Sequence, residues 1–298
     1  MLIDKLISHL VVEVKPFAVC QVSKGWRLHL PGPTETMLHF VLEGGGTMHC
    51  PKGGKHHLSP YSLCIVPKGL AHSLEPHGSI MDELRIDSPP PDNQVYHIAA
   101  GPEGESGMVI SCGLIKVKLA ESLGLFDHLK DILTVDFSDA PHVKDIFAAI
   151  VKEQNQSLAG SEAMTAALMT GCLVHLLRRL TKQDGTKIPW LLALEDMRLG
   201  HAIDEILEDP TAPHTVESLA VAASMSRSAF AEKFTASFGH SPMQFVHQLR
   251  MLQAAKFLIE DRHSIDQIAH KVGYSSRSHF SEAFKKQYGQ SPTVFRAA

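Results

Sequence analysis

TVESLAVAASMSRSAFAEKFTASFGHSPMQF, residues 215–245, and SIDQIAHKVGYSSRSHFSEAFKKQYGQSPTVF, residues 264–295, are two copies of one pattern. Ser226-Arg227-Ser228-x-Phe230 returns as Ser276-Arg277-Ser278-x-Phe280, and Glu232-x-Phe234 as Glu282-x-Phe284. Phe238-Gly239-x-Ser241-Pro242 returns as Tyr288-Gly289-x-Ser291-Pro292. These pairs lie 50 residues apart, whereas Leu219-Ala220 and Ile268-Ala269 lie 49 apart, so the second copy has one extra residue in its turn. Each copy predicts a helix-turn-helix, at 215–238 and 264–288. Thr215 or Ser264 caps a short helix with an acid in its first turn. Small Ala220 or Ala269 lets the second helix approach, and Ser226, or Ser275 or Ser276, caps that helix. Phe230 and Phe234, like Phe280 and Phe284, stand four residues apart and face inward, which leaves a polar face free to enter a major groove. The intervening residues 243–259 predict a long amphipathic connector that holds the two second helices at a fixed distance.

Charge follows the same division. The chain of 298 residues carries a net charge of −4, yet His214–Ala298 holds ten Lys and Arg against six Asp and Glu. A basic end on an acidic body fits a nucleic-acid contact confined to that end. Residues 1–119 read as short strands broken by Gly and Pro pairs, which predicts a small barrel or jelly roll. Residues 120–180 read as amphipathic helices, including 125–135, 142–156 and an apolar helix over 162–182. The last needs cover, from its own domain or from a second copy in a homodimer. Residues 181–189 are polar with a glycine and predict a linker, and residues 190–298 are helical throughout. The fold class is therefore α+β and multidomain, a β-barrel with following helices and then an all-α domain. The five cysteines are scattered with no CxxC pair, which argues against a disulfide framework. With no leader-like N-terminus and no membrane-length apolar run, a cytoplasmic location off the membrane is expected.

Residues from about 199 to 296 resemble the DNA-binding domain of the AraC/XylS family. The match is carried by Gly273-Tyr274, Ser278-x-Phe280-x-x-x-Phe284-Lys285 and Gly289-x-Ser291-Pro292-x-x-x-Arg296. The resemblance implies one monomer reading two successive major-groove segments of double-stranded DNA, and activation through contact with RNA polymerase. By position it implies base-facing Ser228, Ala231 and Glu232 in the first copy and Arg277, Ser278, Ser281 and Glu282 in the second. Arg277 is the strongest base reader, because arginine pairs bidentately with guanine. Arg227, Lys233, Lys285 and Lys286 are the expected phosphate contacts, which position without specifying.

The strand-rich half resembles the cupin effector domains of such regulators through Pro67-x-Gly69-x-x-His72 and His39. Metal-binding cupins converge about three histidines and a glutamate. Here Val41 stands in place of the second histidine, and the glycine expected near Tyr61 is absent. His39, His49 and His72 form an alternative set that could hold zinc. The placement of Cys20 and Cys112 is similar to that in the reactive-chlorine-responsive activators of the family, which cysteine oxidation switches on. The resemblance thus implies a DNA-binding transcription regulator controlled by a small-molecule effector or by an oxidant. A metal-dependent cupin enzyme fused to a DNA-binding module is the alternative. With no nucleophile motif, GxGxxG or phosphate loop, no enzymatic activity is expected.

Overall fold

Where the hydrophobic period changes from two to near four, strands give way to helices. A computed structural model describes residues 2–51, 54–87, 95–102, 104–119, 123–127, 129–156, 158–182, 188–260 and 262–297. The expected linker at 183–187 and the Pro-rich stretch at 88–94 lie outside the described residues. The chain begins α1 (Leu2–Ile7), β1 (Leu10–Val14), β2 (Ala18–Ser23), β3 (Trp26–Leu30), β4 (Thr36–Gly44), β5 (Gly46–Cys50) and β6 (Gly54–Leu58). It continues β7 (Ser62–Val66), β8 (His72–Pro76), β9 (Asp82–Arg85), β10 (Tyr96–Ala100), β11 (Ser106–Leu119), β12 (Leu123–Gly124) and β13 (Leu133–Asp136). The helices follow as α2 (His142–Gln156), α3 (Ser161–Leu180), α4 (Pro189–Glu195), α5 (Met197–Glu208), α6 (Val216–Ala222) and α7 (Arg227–Phe238). The last are α8 (Pro242–Ile259), α9 (Ile265–Lys271), α10 (Arg277–Tyr288) and α11 (Pro292–Ala297).

Contacts divide the chain into two units, each with its own core. One comprises Val12–Val117 and Phe126–Gly185. Its strands form two sheets, in the orders β10-β2-β11-β4-β7-β13 and β6-β5-β8-β3-β9. Alternate residues of β2 and β5 are buried, as a strand with one inward face requires. Cys20, Val22, Ile110 and Cys112 from one sheet meet Leu28, Met48 and Leu74 from the other. The larger sheet is covered outside as well. Phe147 of α2 stacks on Phe40 with ring centroids 4.2 Å apart and lies 6.3 Å from Phe17. Phe17 leaves no room for a side chain at Gly113, where a Cβ would stand 2.0 Å from its ring. This is the cupin-like roll the sequence implied.

Residues 125–135 were expected to be helical, and the structure corrects this. Leu133–Asp136 is strand β13, paired antiparallel with β7. Ile132, Thr134 and Val135 are β-branched, which costs little in a strand and more in a helix. The open edge of β7 supplies the backbone partners. The apolar side of α3, from Met169 to Leu180, is buried, and α2 is the helix it packs against. The cover that its composition demanded is therefore available within the chain.

The other unit is Thr186–Ala298 together with Met1–Val11 and Lys118–Leu125. Lys5 of α1 pairs with Asp204 of α5 at 2.8 Å, and Leu6 is fully buried. The Trp190 indole donates to the Leu125 carbonyl at 2.8 Å. No described helix is long and apolar enough to cross a membrane.

Candidate DNA interface and sensor cavity

The two helix-turn-helix copies are built by their caps. Thr215 Oγ1 accepts from the Ser218 amide while Ser218 Oγ accepts from the Thr215 amide, each at 3.0 Å. Ser264 and Gln267 repeat this reciprocal box in the second copy, and such pairs satisfy two otherwise orphaned donors. Ser226 and Ser276 cap the second helices by accepting from Ala229 and His279. Gly239 and Gly289 end them at φ of 72° and 74°, a conformation that favours glycine. Phe230, Phe234, Phe280 and Phe284 are fully buried, so α7 and α10 are fixed in rotation.

That rotation decides which side chains are presented. On α10, Arg277, Ser278, Glu282, Lys285 and Lys286 are exposed, and Ser281 is half-buried. On α7, Ser228 and Glu232 are exposed, and Ala231 is half-buried. The expected phosphate contacts differ between copies. Lys233 is bound to the carboxylate of Asp196, which Lys233 holds at a pKa of about 2. Arg227 pairs with Glu217 at 2.9 Å, with both side chains more than half exposed. A pair so exposed is worth at most about 1 kcal/mol, so a phosphate can displace Glu217. Asp196 is only 19% exposed and also caps α5, so Lys233 is the harder of the two to free. Sequence reasoning missed Ala229 and His279, both exposed near the starts of the reading helices. The 50-residue offset pairs these two positions, and there the copies differ in size and polarity.

In the other unit a cavity of about 100 Å³ lies among Ala18, Cys20, Leu30, Met37, Tyr96, Ile98 and Cys112. A more open depression of about 550 Å³ is lined by His29, His49, His72, Arg85 and Asp87, and the two share Leu30, Pro31 and Ile86. Cys112 begins a chain of hydrogen bonds. Its Sγ is 2.9 Å from His39 Nδ1, His39 Nε2 is 2.8 Å from His72 Nε2, and His72 Nδ1 is 3.1 Å from the Leu70 carbonyl. A carbonyl can only accept, and this fixes every proton for neutral rings. His72 Nδ1 donates to Leu70, His39 Nε2 donates to His72, and the Cys112 thiol donates to His39. Burial supports this state. It holds His39 well below the ordinary histidine range, with His72 adding to the effect, and holds His72 at about 4. Burial, reinforced by neighbouring Cys20, pushes the Cys112 thiol well up.

The donor set expected for zinc is not assembled. His39 and His72 are together, but their Nε2 atoms are committed to each other. His49 instead pairs with Glu75 at 2.5 Å. Among the described residues no three His, Cys, Asp or Glu side chains converge as metal ligands. Cys20 and Cys112 are brought together: Cys20 lies opposite Ile110 and Ala18 opposite Cys112, which sets the two cysteines diagonally on adjacent strands. Tyr61, near which a glycine was expected, has a φ of 69°. Its ring lies beside Phe40 and under the Lys144 ammonium.

Two family models match the chain, a cupin family over residues 2–182 and a helix-turn-helix domain over residues 219–298. The HTH-type transcriptional regulator MtrA of Neisseria gonorrhoeae is 25% identical over 99% of this chain and 97% of its own length. The RCS-specific HTH-type transcriptional activator RclR of Escherichia coli K12 is 24% identical over 93% of this chain and 90% of its own. A solved structure, the DNA-binding domain of AdpA in complex with a target DNA, is 33% identical. It covers 33% of this chain and 88% of that one, with a TM-score of 0.32. The chain belongs to the AraC/XylS family of DNA-binding transcription regulators, with a cupin domain ahead of its helix-turn-helix pair. Its relatives are regulators along nearly their whole length, so it is a regulator and not an enzyme.

Proposed function

We propose that this regulator is switched by a small apolar molecule held in the cavity of its cupin domain, and that it activates transcription by engaging RNA polymerase. The cavity carries the reading. Of the side chains around it, Leu30, Met37, Ile98 and Cys112 are apolar, and its size suits a few heavy atoms, since about 150 Å³ accommodates benzene. Cys112, a neutral thiol tied to a neutral imidazole, is part of the wall. Ala18→Leu, which fills the cavity, is expected to abolish inducer-dependent transcription while DNA binding stays within about twofold. A filled variant that still responds to the inducer would sink the proposal.

One observation favours an oxidant instead, the diagonal placement of Cys20 and Cys112 on adjacent strands. Against it stands the raised pKa of Cys112, since the thiolate is the reactive form. Under that reading Cys20→Ser and Cys112→Ser both lose oxidant-dependent transcription. Leu158 and Met164, exposed beside the turn between α2 and α3, support a homodimer through this hairpin. At the DNA, the exposure of Arg277, Ser278 and Glu282 supports base reading by α10, with Lys285 and Lys286 on phosphate.

A further inference from the structure

The connector α8 does more than span a length. Arg250, on its inward side, donates from Nε to the Pro210 carbonyl at 2.8 Å and from Nη2 to the Ala212 carbonyl at 2.8 Å. Those carbonyls belong to the loop that leads into α6, the first helix of the first helix-turn-helix. The same guanidinium borders the turn of the second. A Cβ at Gly273 would stand 3.0 Å from the Thr211 carbonyl and 3.1 Å from Arg250 Cζ. The next residue, Tyr274, shares a hydrogen bond between its hydroxyl and His247 Nδ1 on α8, at 2.6 Å. Loop, connector and second turn therefore meet at one guanidinium. At the matching place in the first copy stands Ser224, which also holds a positive φ.

We propose that Arg250 is a positioning residue that sets the separation of the two reading helices, and with it the operator spacing the protein accepts. Arginine suits the task because its planar fork serves two carbonyls at once, whereas a lysine ammonium is a single point on a flexible stem. The loop carbonyls are backbone atoms of an element continuous with α6, so removing the fork frees α6 and α7 to move against α9 and α10. Two linked reading heads gain from each other only while their geometry matches the two groove segments. A loosened pair still finds each motif and loses the preference for one separation.

The test uses the full chain and a pool of randomised double-stranded DNA, from which bound sequences are selected and read. Wild type is expected to return two motifs at one separation, about 10 bp between centres. Arg250→Gln is expected to return the same motifs spread over two or more base pairs of separation. On the wild-type site it should lose about tenfold in affinity. Selection of a single separation by Arg250→Gln would overturn the proposal, even if its melting temperature falls, because a merely structural role lowers stability without relaxing spacing. Arg250→Lys keeps the charge and provides the same reading should the Gln variant fail to fold. A single motif from the wild type would overturn two-helix reading itself, and the proposal with it.

Discussion

At the residue scale the two reading helices are unequal, and the inequality is electrostatic. Arg277 is exposed at the start of α10 and makes no ion pair among the described residues, while Lys285 and Lys286 lie exposed a few turns on. On α7 the cations are engaged, Arg227, the counterpart of Arg277, by Glu217 and Lys233 by Asp196. Arg277→Ala is expected to weaken binding to the natural operator by about 1–3 kcal/mol more than binding to scrambled DNA, since a bidentate guanine contact discriminates by that amount. Equal losses on both DNAs in a gel-shift titration would reduce Arg277 to a phosphate contact. The residues carrying this contrast were legible in the repeat. The ion pair of Lys233 was not, because Asp196 lies 37 positions away, between α4 and α5.

At the scale of elements, each helix-turn-helix turns on one left-handed residue. Ser224 holds φ at 52° and Gly273 at 81°. A side chain in that region costs about 1 kcal/mol, and glycine avoids the clash at some cost in chain entropy. Ser224→Gly should therefore stabilise the unit by about 0.5 kcal/mol, while Gly273→Ala, crowded by Thr211 and Arg250, should destabilise it by about 1 kcal/mol or more. Thermal melts of the two variants moving the same way would contradict this account. Caps, phenylalanines and terminal glycines could be read ahead because they act within a few residues along the chain. The helix expected at 125–135 failed for the opposite reason. Its apolar spacing suited a helix, but the unpaired edge of β7, some 70 residues earlier, offered Leu133–Asp136 a ladder.

At the scale of the whole molecule, the cupin unit carries a pH dependence that the helix-turn-helix caps do not explain. His72 is neutral when folded, with its pKa held at about 4, and returns toward 6.5 when the chain unfolds. Protonation then favours the unfolded unit. The contribution of burying neutral His72 is intact above about pH 6.5 and is lost as pH falls from there through 4, to a total of about 3 kcal/mol. His39 acts in the same direction. Melting of the cupin unit should fall more between pH 7 and 4 in wild type than in a His39→Leu, His72→Leu double variant, and equal falls would refute the role of the imidazoles. By itself the sequence determined the duplicated helix-turn-helix pair, the strand-rich character of the N-terminal half and the family, because these rest on caps, turns and periodicity that act locally. Only the tertiary structure decided that His39 and His72 bond to each other while His49 bonds to Glu75, that α10 keeps its cations while α7 commits them, and that Arg250 joins the two copies. Each of these depends on atoms brought within about 3 Å by packing between distant segments, and no local pattern records that.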